Sequence, residues 1–213
     1  MKDNILLNKS FFTYDKEKYL DEEFYRVQEK LKPKVRVIIL EENLNIIHFD
    51  IKIRKNKISN FVNENIKKNI LQNGDVLYHY IYDSRSNLLY IYYIKGGKRI
   101  DNLINYVKEM EVIPIQFLIM SVLRNKLKVK DKEIRAWVKI NNCYYYVNIE
   151  NNIIKQSFIE TNKEEVLKDI EINAECSKLC IDNNIFHEIA EIKNDINIIS
   201  LDIAKGIYEK INK

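Results

Sequence analysis

Residues Glu133 to Glu160 read EIRAWVKINNCYYYVNIENNIIKQSFIE. Within them Glu133–Ile140, Cys143–Ile149 and Ile153–Ile159 are three predicted strands. Asn141-Asn142 and Asn151-Asn152 join them, and asparagine tolerates the positive φ that two-residue hairpin turns demand. The stretch therefore predicts a tight antiparallel meander. Thr161 and Glu164 follow in the spacing of a capping box, ahead of a helix containing Val166, Leu167 and Ile170. A short strand is expected around Leu179–Ile181 and a last helix over Leu201–Ile211. Ala136, Val138 and Ile140 form the expected inner row of the first meander strand, with Trp137 on the opposite face.

Working toward the N-terminus, Arg124–Lys132 reads as a linker and Ile115–Leu123, after Pro114, as a buried helix. Ile100, Leu103, Ile104 and Val107 predict an amphipathic helix over Arg99–Met110. Asp75–Asp83 and Leu88–Ile94 predict a hairpin around Ser84-Arg85-Ser86-Asn87. Tyr78, Tyr80 and Tyr82 alternate there with Leu77, His79 and Ile81. Ile58, Phe61, Val62, Ile66 and Ile70 predict a helix over Lys57–Leu71, with Gly74 in the turn beyond it. Val35–Leu40 and Asn45–Ile51 are predicted strands, the first a central one because its apolar run is nearly continuous. Leu20, Phe24, Val27 and Leu31 predict a helix over 15–31, with Asp15 as N-cap. The fold class is α/β, in two lobes with mixed sheets. The first lobe spans residues 1–130 and the second 131–213.

Thirty-five basic and 31 acidic residues leave a net charge of +4, too balanced to imply a polyanion partner. Frequent Ile, Asn, Lys and Tyr fit an AT-rich genome without functional meaning. Only 4 Gly and 2 Pro are present, so the Gly-rich loops that phosphate chemistry leans on are missing. Cys143, Cys176 and Cys180 make no even disulfide framework and read as buried thiols of a reducing compartment. The N-terminal Met1-Lys2-Asp3-Asn4 lacks a signal-peptide core, and the apolar run Val112–Leu123 is too short to span a bilayer. The chain reads as soluble and non-enzymatic, working by binding other proteins, with no metal or cofactor.

Each candidate site has a bland reading that explains it better. Cys176, Cys180 and His187 fall short of the four ligands of a structural zinc site. His79 shares a strand face with Leu77 and Ile81 and reads as a core histidine, as does His48. A two-metal nuclease needs converging carboxylates, yet Glu133 and Glu150 lie at strand ends. Gly96-Gly97-Lys98 lacks Walker spacing and reads as a hairpin exit turn. Tyr78, Tyr80 and Tyr82 with Tyr90, Tyr92 and Tyr93, flanked by Lys52–Lys57 and Lys95–Arg99, offer the alternative function, a nucleic-acid module using an aromatic strand surface.

Residues 133–181 have the element order of a ribonuclease H-like half of the actin-like fold. More narrowly, the chain resembles the cytoplasmic domains of the PilM proteins of type IV pili and the L proteins of type II secretion. Four stretches carry this: Val35–Ile53 (VRVIILEENLNIIHFDIKI), the helix Ile58–Leu71, the paired strands Val76–Ile94, and the strand-to-helix run Val112-Ile113-Pro114-Ile115-Gln116-Phe117. Leu201-Asp202-Ile203-Ala204-Lys205-Gly206 is similar to the family's segment just before its membrane anchor.

The resemblance implies a non-catalytic scaffold in an assembly platform at the cytoplasmic face of the membrane. Its partners would be the assembly ATPase and inner-membrane platform proteins, with no nucleic acid. It also implies that the 213 residues either precede an anchor or act with a membrane partner. Lys205, Lys210 and Lys213 would then be membrane-proximal. Nucleotide-binding members of the fold cradle phosphates in Gly-rich hairpins. Here the matching runs, Asn4–Tyr14 and Val138–Tyr144, contain no Gly. An actin-like fold lacking phosphate-binding hairpins, and no ATP binding, is the expectation.

Overall fold

The computed structural model describes residues 2–69, 75–127, 133–173, 179–189 and 198–212, with the backbone alone at 171–173 and 187–189. The chain opens with three antiparallel strands, β1 (Asp3–Leu7), β2 (Phe12–Tyr14) and β3 (Glu17–Tyr19). A 3-10 turn at Asp21–Glu23 and a short helix α1 (Tyr25–Gln28) lead to β4 (Lys34–Ile39), parallel to β1. Asp15 and Lys16 have φ of 47° and 69°, so they form the tight β2–β3 turn rather than a helix start. The helix expected over 15–31 is thus broken up: its first five residues are the β2–β3 turn and β3, and helix remains only as the 3-10 turn and α1. Its apolar spacing was coincidental: Val27 is buried, whereas Leu20 is 54% exposed.

Next comes a three-stranded unit. β5 (Asn45–Asp50) leads to α2 (Ile58–Asn69), then β6 (Val76–Asp83) and β7 (Leu88–Lys95), in the order β5-β7-β6. Helix α3 (Gly97–Ile104) is shorter than expected. The remainder of the predicted helix, beginning at Glu109, belongs to β8 (Glu109–Pro114), which pairs parallel with β4. Helix α4 (Ile115–Leu127) begins directly after Pro114 and takes in the first four residues of the expected linker.

The meander appears where the Asn-Asn turns put it, as β9 (Glu133–Ile140), β10 (Cys143–Glu150) and β11 (Ile153–Glu160). Asn141, Asn151 and Asn152 have φ of 55°, 49° and 67°. Helix α5 (Lys163–Asn173) is capped by Asn162, whose Oδ1 accepts the Glu164 N–H at 2.9 Å, and not by Thr161. Strand β12 (Leu179–Asp182), helix α6 (Asn183–Ile189), strand β13 (Ile198–Leu201) and helix α7 (Ile203–Ile211) complete the described chain.

The two five-stranded sheets run β3-β2-β1-β4-β8 and β11-β10-β9-β12-β13. Each is a meander followed by two parallel strands, so the two halves share one strand order. The β5–α2–β6–β7 unit is inserted between the fourth and fifth strands of the first half. Both faces of the second sheet are buried. Ala136, Val138 and Ile140 join a core that continues into the first sheet through Ile5, Val37 and Ile119. Trp137 and Tyr146 pack with Val166, Ile170 and Ile185 of α5 and α6 on the other face. The Trp137 Nε1–H donates to Asp169 at 3.2 Å. Helices α4 and α7 join the halves, and Gly206 lets α7 sit against Val122.

Candidate functional site

In open α/β sheets ligands gather at the carboxyl ends of parallel strands. In the first half those ends carry Asn8, Leu40–Glu42 and Gln116, after β1, β4 and β8. They are closed by contacts within the chain. The Leu40 N–H donates to Leu7 O at 2.7 Å, and Glu41 turns through a φ of 59°. The Lys9 N–H, the group a phosphate would seek, donates to the Glu41 carboxylate at 3.1 Å. The Glu41 N–H donates across the seam to the Tyr145 hydroxyl at 3.1 Å. Burial pushes that hydroxyl's pKa up, and burial with the nearby Glu41 does the same to the Cys143 thiol. Gln116 is fully buried and donates to Glu42 O at 3.0 Å. Its Oε1 and the Asn8 Oδ1 are buried acceptors with no partner among the described residues, the wrong polarity for an anion.

The second half's carboxyl ends are closed in a similar way. Asp182, 1% exposed, accepts the Asn184 N–H at 3.0 Å and the Ala204 N–H at 2.7 Å. One carboxylate thereby caps both α6 and α7. Burial raises its pKa against the pull of those hydrogen bonds.

The open feature lies elsewhere, between the inserted sheet and the first sheet. A groove of about 410 Å³ is walled by Leu77, Tyr78 and His79 of β6, by Val112, Ile113 and Pro114 of β8, and by Tyr92 and Phe117. Three consecutive residues from each of β6, β7 and β8 line it, and of these strands β6 and β8 lie at sheet edges. Each of these two pairs on one side only among the described residues, β6 with β7 and β8 with β4. Phe117 forms the floor, edge-on to Tyr92 at 5.3 Å and to His79 at 6.2 Å. Partial burial lowers the His79 pKa, favouring the neutral ring. An apolar groove with unpaired backbone on its walls suits an extended peptide, which adds main-chain hydrogen bonds and sinks alternate side chains.

No protein-family model matches the chain, and no curated protein sequence matches it. Solved structures do. A Bacteroides thetaiotaomicron protein with an actin-like ATPase fold and unknown function aligns with TM-score 0.60 at 9% identity, covering 100% of this chain and 96% of its own. The PilM–PilN type IV pilus biogenesis complex aligns with TM-score 0.59 at 8% identity, covering 96% and 89%. The cytoplasmic domain of EpsL, an inner membrane component of the Vibrio cholerae type II secretion system, aligns with TM-score 0.53 at 8% identity, covering 99% and 93%. The fold is actin-like. The actin-like halves meet along the seam built by Lys9, Glu41 and Tyr145, and the groove lies beside the insert in the first half.

The residues singled out from sequence scatter over this actin-like frame. His79 is exposed on the groove rim, not in the core. His48 is also exposed, its ring 6.2 Å from that of Tyr90. Cys143 and Cys180 are buried, while Cys176 and the side chain of His187 lie outside the described residues. Among the described residues no group of three or more His, Cys, Asp or Glu could hold a metal. Glu133 accepts from Arg135 at 3.0 Å, and Glu150 lies 3.6 Å from Lys155. Gly96 has a φ of 111° ahead of α3, and the Lys98 N–H there is taken by Asp75 at 2.7 Å.

The aromatic platform is not presented. Tyr90 and Tyr92 are buried, Tyr80 and Tyr82 pack on the cluster under α2, and Tyr78 alone is substantially exposed. Lys205 is exposed, Lys210 is half-buried and donates to Ser121 at 2.5 Å, and Lys213 lies outside the described residues. The run Leu201–Gly206, likened above to a pre-anchor segment, is the end of β13 and the first turn of a core helix. No helix among the described residues is long and apolar enough to cross a membrane. Sequence reading missed the groove because its walls come from four separate stretches.

Proposed function

We propose that this chain is a non-catalytic scaffold domain of a type IV pilus or type II secretion assembly platform at the cytoplasmic face of the membrane. The observation that carries this reading is the apolar groove bounded by the edges of β6 and β8. Its occupant is an extended apolar segment of a partner protein, added as a strand. The actin-like fold shared with PilM and with the EpsL cytoplasmic domain supports the setting. One of those structures is itself a complex, of PilM with PilN, which supports a protein of the pilus or secretion machinery as partner; we take this to be a membrane-platform protein and add the assembly ATPase as a second. The seam supports the absence of catalysis, since Glu41 and Tyr145 occupy the backbone donors nearest the strand ends.

The test is calorimetric titration of the chain with synthetic peptides from the tails of pilus or secretion proteins encoded nearby. At least one should bind, and Tyr78→Ala/His79→Ala should weaken it about tenfold or more, as loss of a groove anchor does. Both side chains are exposed, so the fold should persist. Undiminished binding to that variant would remove the groove from the reading. Mg-ATP titrated in parallel should give no heat, and a micromolar dissociation constant would overturn the non-catalytic scaffold.

A further inference from the structure

One exposed loop carries a run of uncompensated positive charge. The whole sequence has a net charge of +4, and residues 51–63 contain Lys52, Arg54, Lys55 and Lys57 with no acidic residue. The loop is also held in place. The Ile51 N–H donates to Asn87 O at 2.8 Å, and the Ile53 N–H to the Tyr82 hydroxyl at 3.4 Å. Ile51 and Ile53 pack inward against the cluster of Ile58, Val62, Leu89 and Ile91. Alternation then turns Lys52 and Arg54 outward. A 3-10 turn at Lys55–Lys57, closed by Lys57 N–H to Arg54 O at 2.8 Å, presents the other two.

All four cations are exposed, and none makes an ion pair with another described residue. The Asn87 contact brings the β6–β7 turn alongside, with its exposed Arg85. Two carboxylates share this end of the sheet: Asp50, exposed at the end of β5 opposite Leu88, and Asp83, which accepts from the Ser86 hydroxyl at 2.7 Å and the Arg85 N–H at 3.0 Å.

We propose that this tip of the inserted sheet docks on the anionic phospholipid surface of a bilayer. Three of the four loop cations are lysine, a hydrated point charge suited to adsorption on a charged plane. Arginine forks would instead favour bidentate capture of one phosphate. None of the four lines the groove, and the aromatic rings beside the loop, Phe49, Phe61 and Tyr82, are packed on the cluster rather than offered for base stacking. Clusters of about four to eight cations reach the density at which anionic bilayers bind, and each contributes about fivefold. The proposal does not rest on the peptide groove, whose residues the tip variants leave untouched.

The experiment is sedimentation of the full chain with phosphatidylcholine vesicles, with and without phosphatidylglycerol, at low and physiological ionic strength. The protein should pellet only with phosphatidylglycerol and more weakly at higher salt. Lys52→Gln/Arg54→Gln should weaken partitioning about 25-fold, and replacing all four by Gln about 600-fold, at an unchanged melting temperature. Lys16→Gln/Lys168→Gln, exposed cations outside the loop, should leave it unchanged. The proposal fails if the parent protein ignores phosphatidylglycerol. It fails if the fourfold variant binds as the parent does. It also fails if single-stranded RNA of matched charge binds as tightly as the vesicles, which would mark the loop as a nucleic-acid site.

Discussion

Gly206 lies where α7 of the second half packs on α4 of the first, and its replacement by alanine has a calculable outcome. A Cβ there would lie 2.8 Å from Val122 Cγ1, 3.3 Å from Lys126 Cε and 3.5 Å from Val122 Cγ2. Lys126 can swing away, but Val122 is 3% exposed and held in the core of α4. Alanine gains about 1 kcal/mol of helix propensity over glycine. Overpacking a close contact costs about 1–3 kcal/mol. Gly206→Ala should therefore fall between neutral and about 2 kcal/mol destabilising, never at the full propensity gain.

Val122→Ala alone removes two buried methylene equivalents and should cost about 2–3 kcal/mol with its cavity. In the double variant the new methyl enters the space that Val122 vacated. Its cost should fall short of the sum of the single variants by about 1–3 kcal/mol. Urea unfolding followed by Trp137 fluorescence and far-UV circular dichroism reports this, provided the two transitions coincide. Additivity within about 0.5 kcal/mol, or a Gly206→Ala protein stabilised by the whole propensity term, would refute the close α4–α7 contact.

Two further outcomes follow from burial and charge. Val138 is fully buried in the core shared by both halves, so Val138→Asp should abolish the cooperative transition of the whole chain by near-UV circular dichroism. An unchanged melting temperature would place Val138 outside that core. Burial alone would raise the Asp3 carboxyl, but the Lys32 ammonium at 2.8 Å, the Lys32 N–H at 2.9 Å and the Tyr14 hydroxyl at 3.0 Å hold its pKa below the usual 3.8. A depressed folded pKa gives stability that is present above the unfolded value and lost as pH falls through the folded one. Asp3→Asn should thus be less stable at neutral pH, and its urea midpoints should converge with those of the parent below about pH 4. Parallel curves down to strong acid would contradict the ion pair.

Which elements could be read in advance depended on turn chemistry more than on apolar periodicity. The meander was legible because Asn141-Asn142 and Asn151-Asn152 announce positive φ, leaving eight-residue strands of unambiguous period. The same structure at the N-terminus was not legible. Its turn is Asp15-Lys16, where lysine gives no such warning, and Leu20, Phe24, Val27 and Leu31 happen to follow helical spacing. Losing that hairpin concealed the shared strand order of the two halves, which only the pairing of β1 with β4 and of β9 with β12 reveals. Strand β8 was hidden for another reason. It is an edge strand of six residues ending in Pro114; its Glu-Met-Glu-Val alternation is too short to stand out, Glu109 and Met110 fell within the predicted helix, and its apolar half read as the approach to the next one.

Charge was legible as a number and misleading as one. A net charge of +4 over 213 residues argues against a polyanion partner only if it is spread evenly. In–out alternation at Ile51–Arg54 and the 3-10 turn after it put four cations on one exposed tip. The groove has the opposite cause, since it exists only where β6 and β8 approach each other. Both surfaces nevertheless belong wholly or partly to the segment inserted between the fourth and fifth strands of the first half. The second half joins its fourth and fifth strands through α6 and residues 190–197. Two halves of one topology thus carry different loads. The second supplies a core buried on both faces, and the first builds outward from its own sheet. Substitutions that alter partner choice without altering stability should therefore concentrate between Asn45 and Lys95.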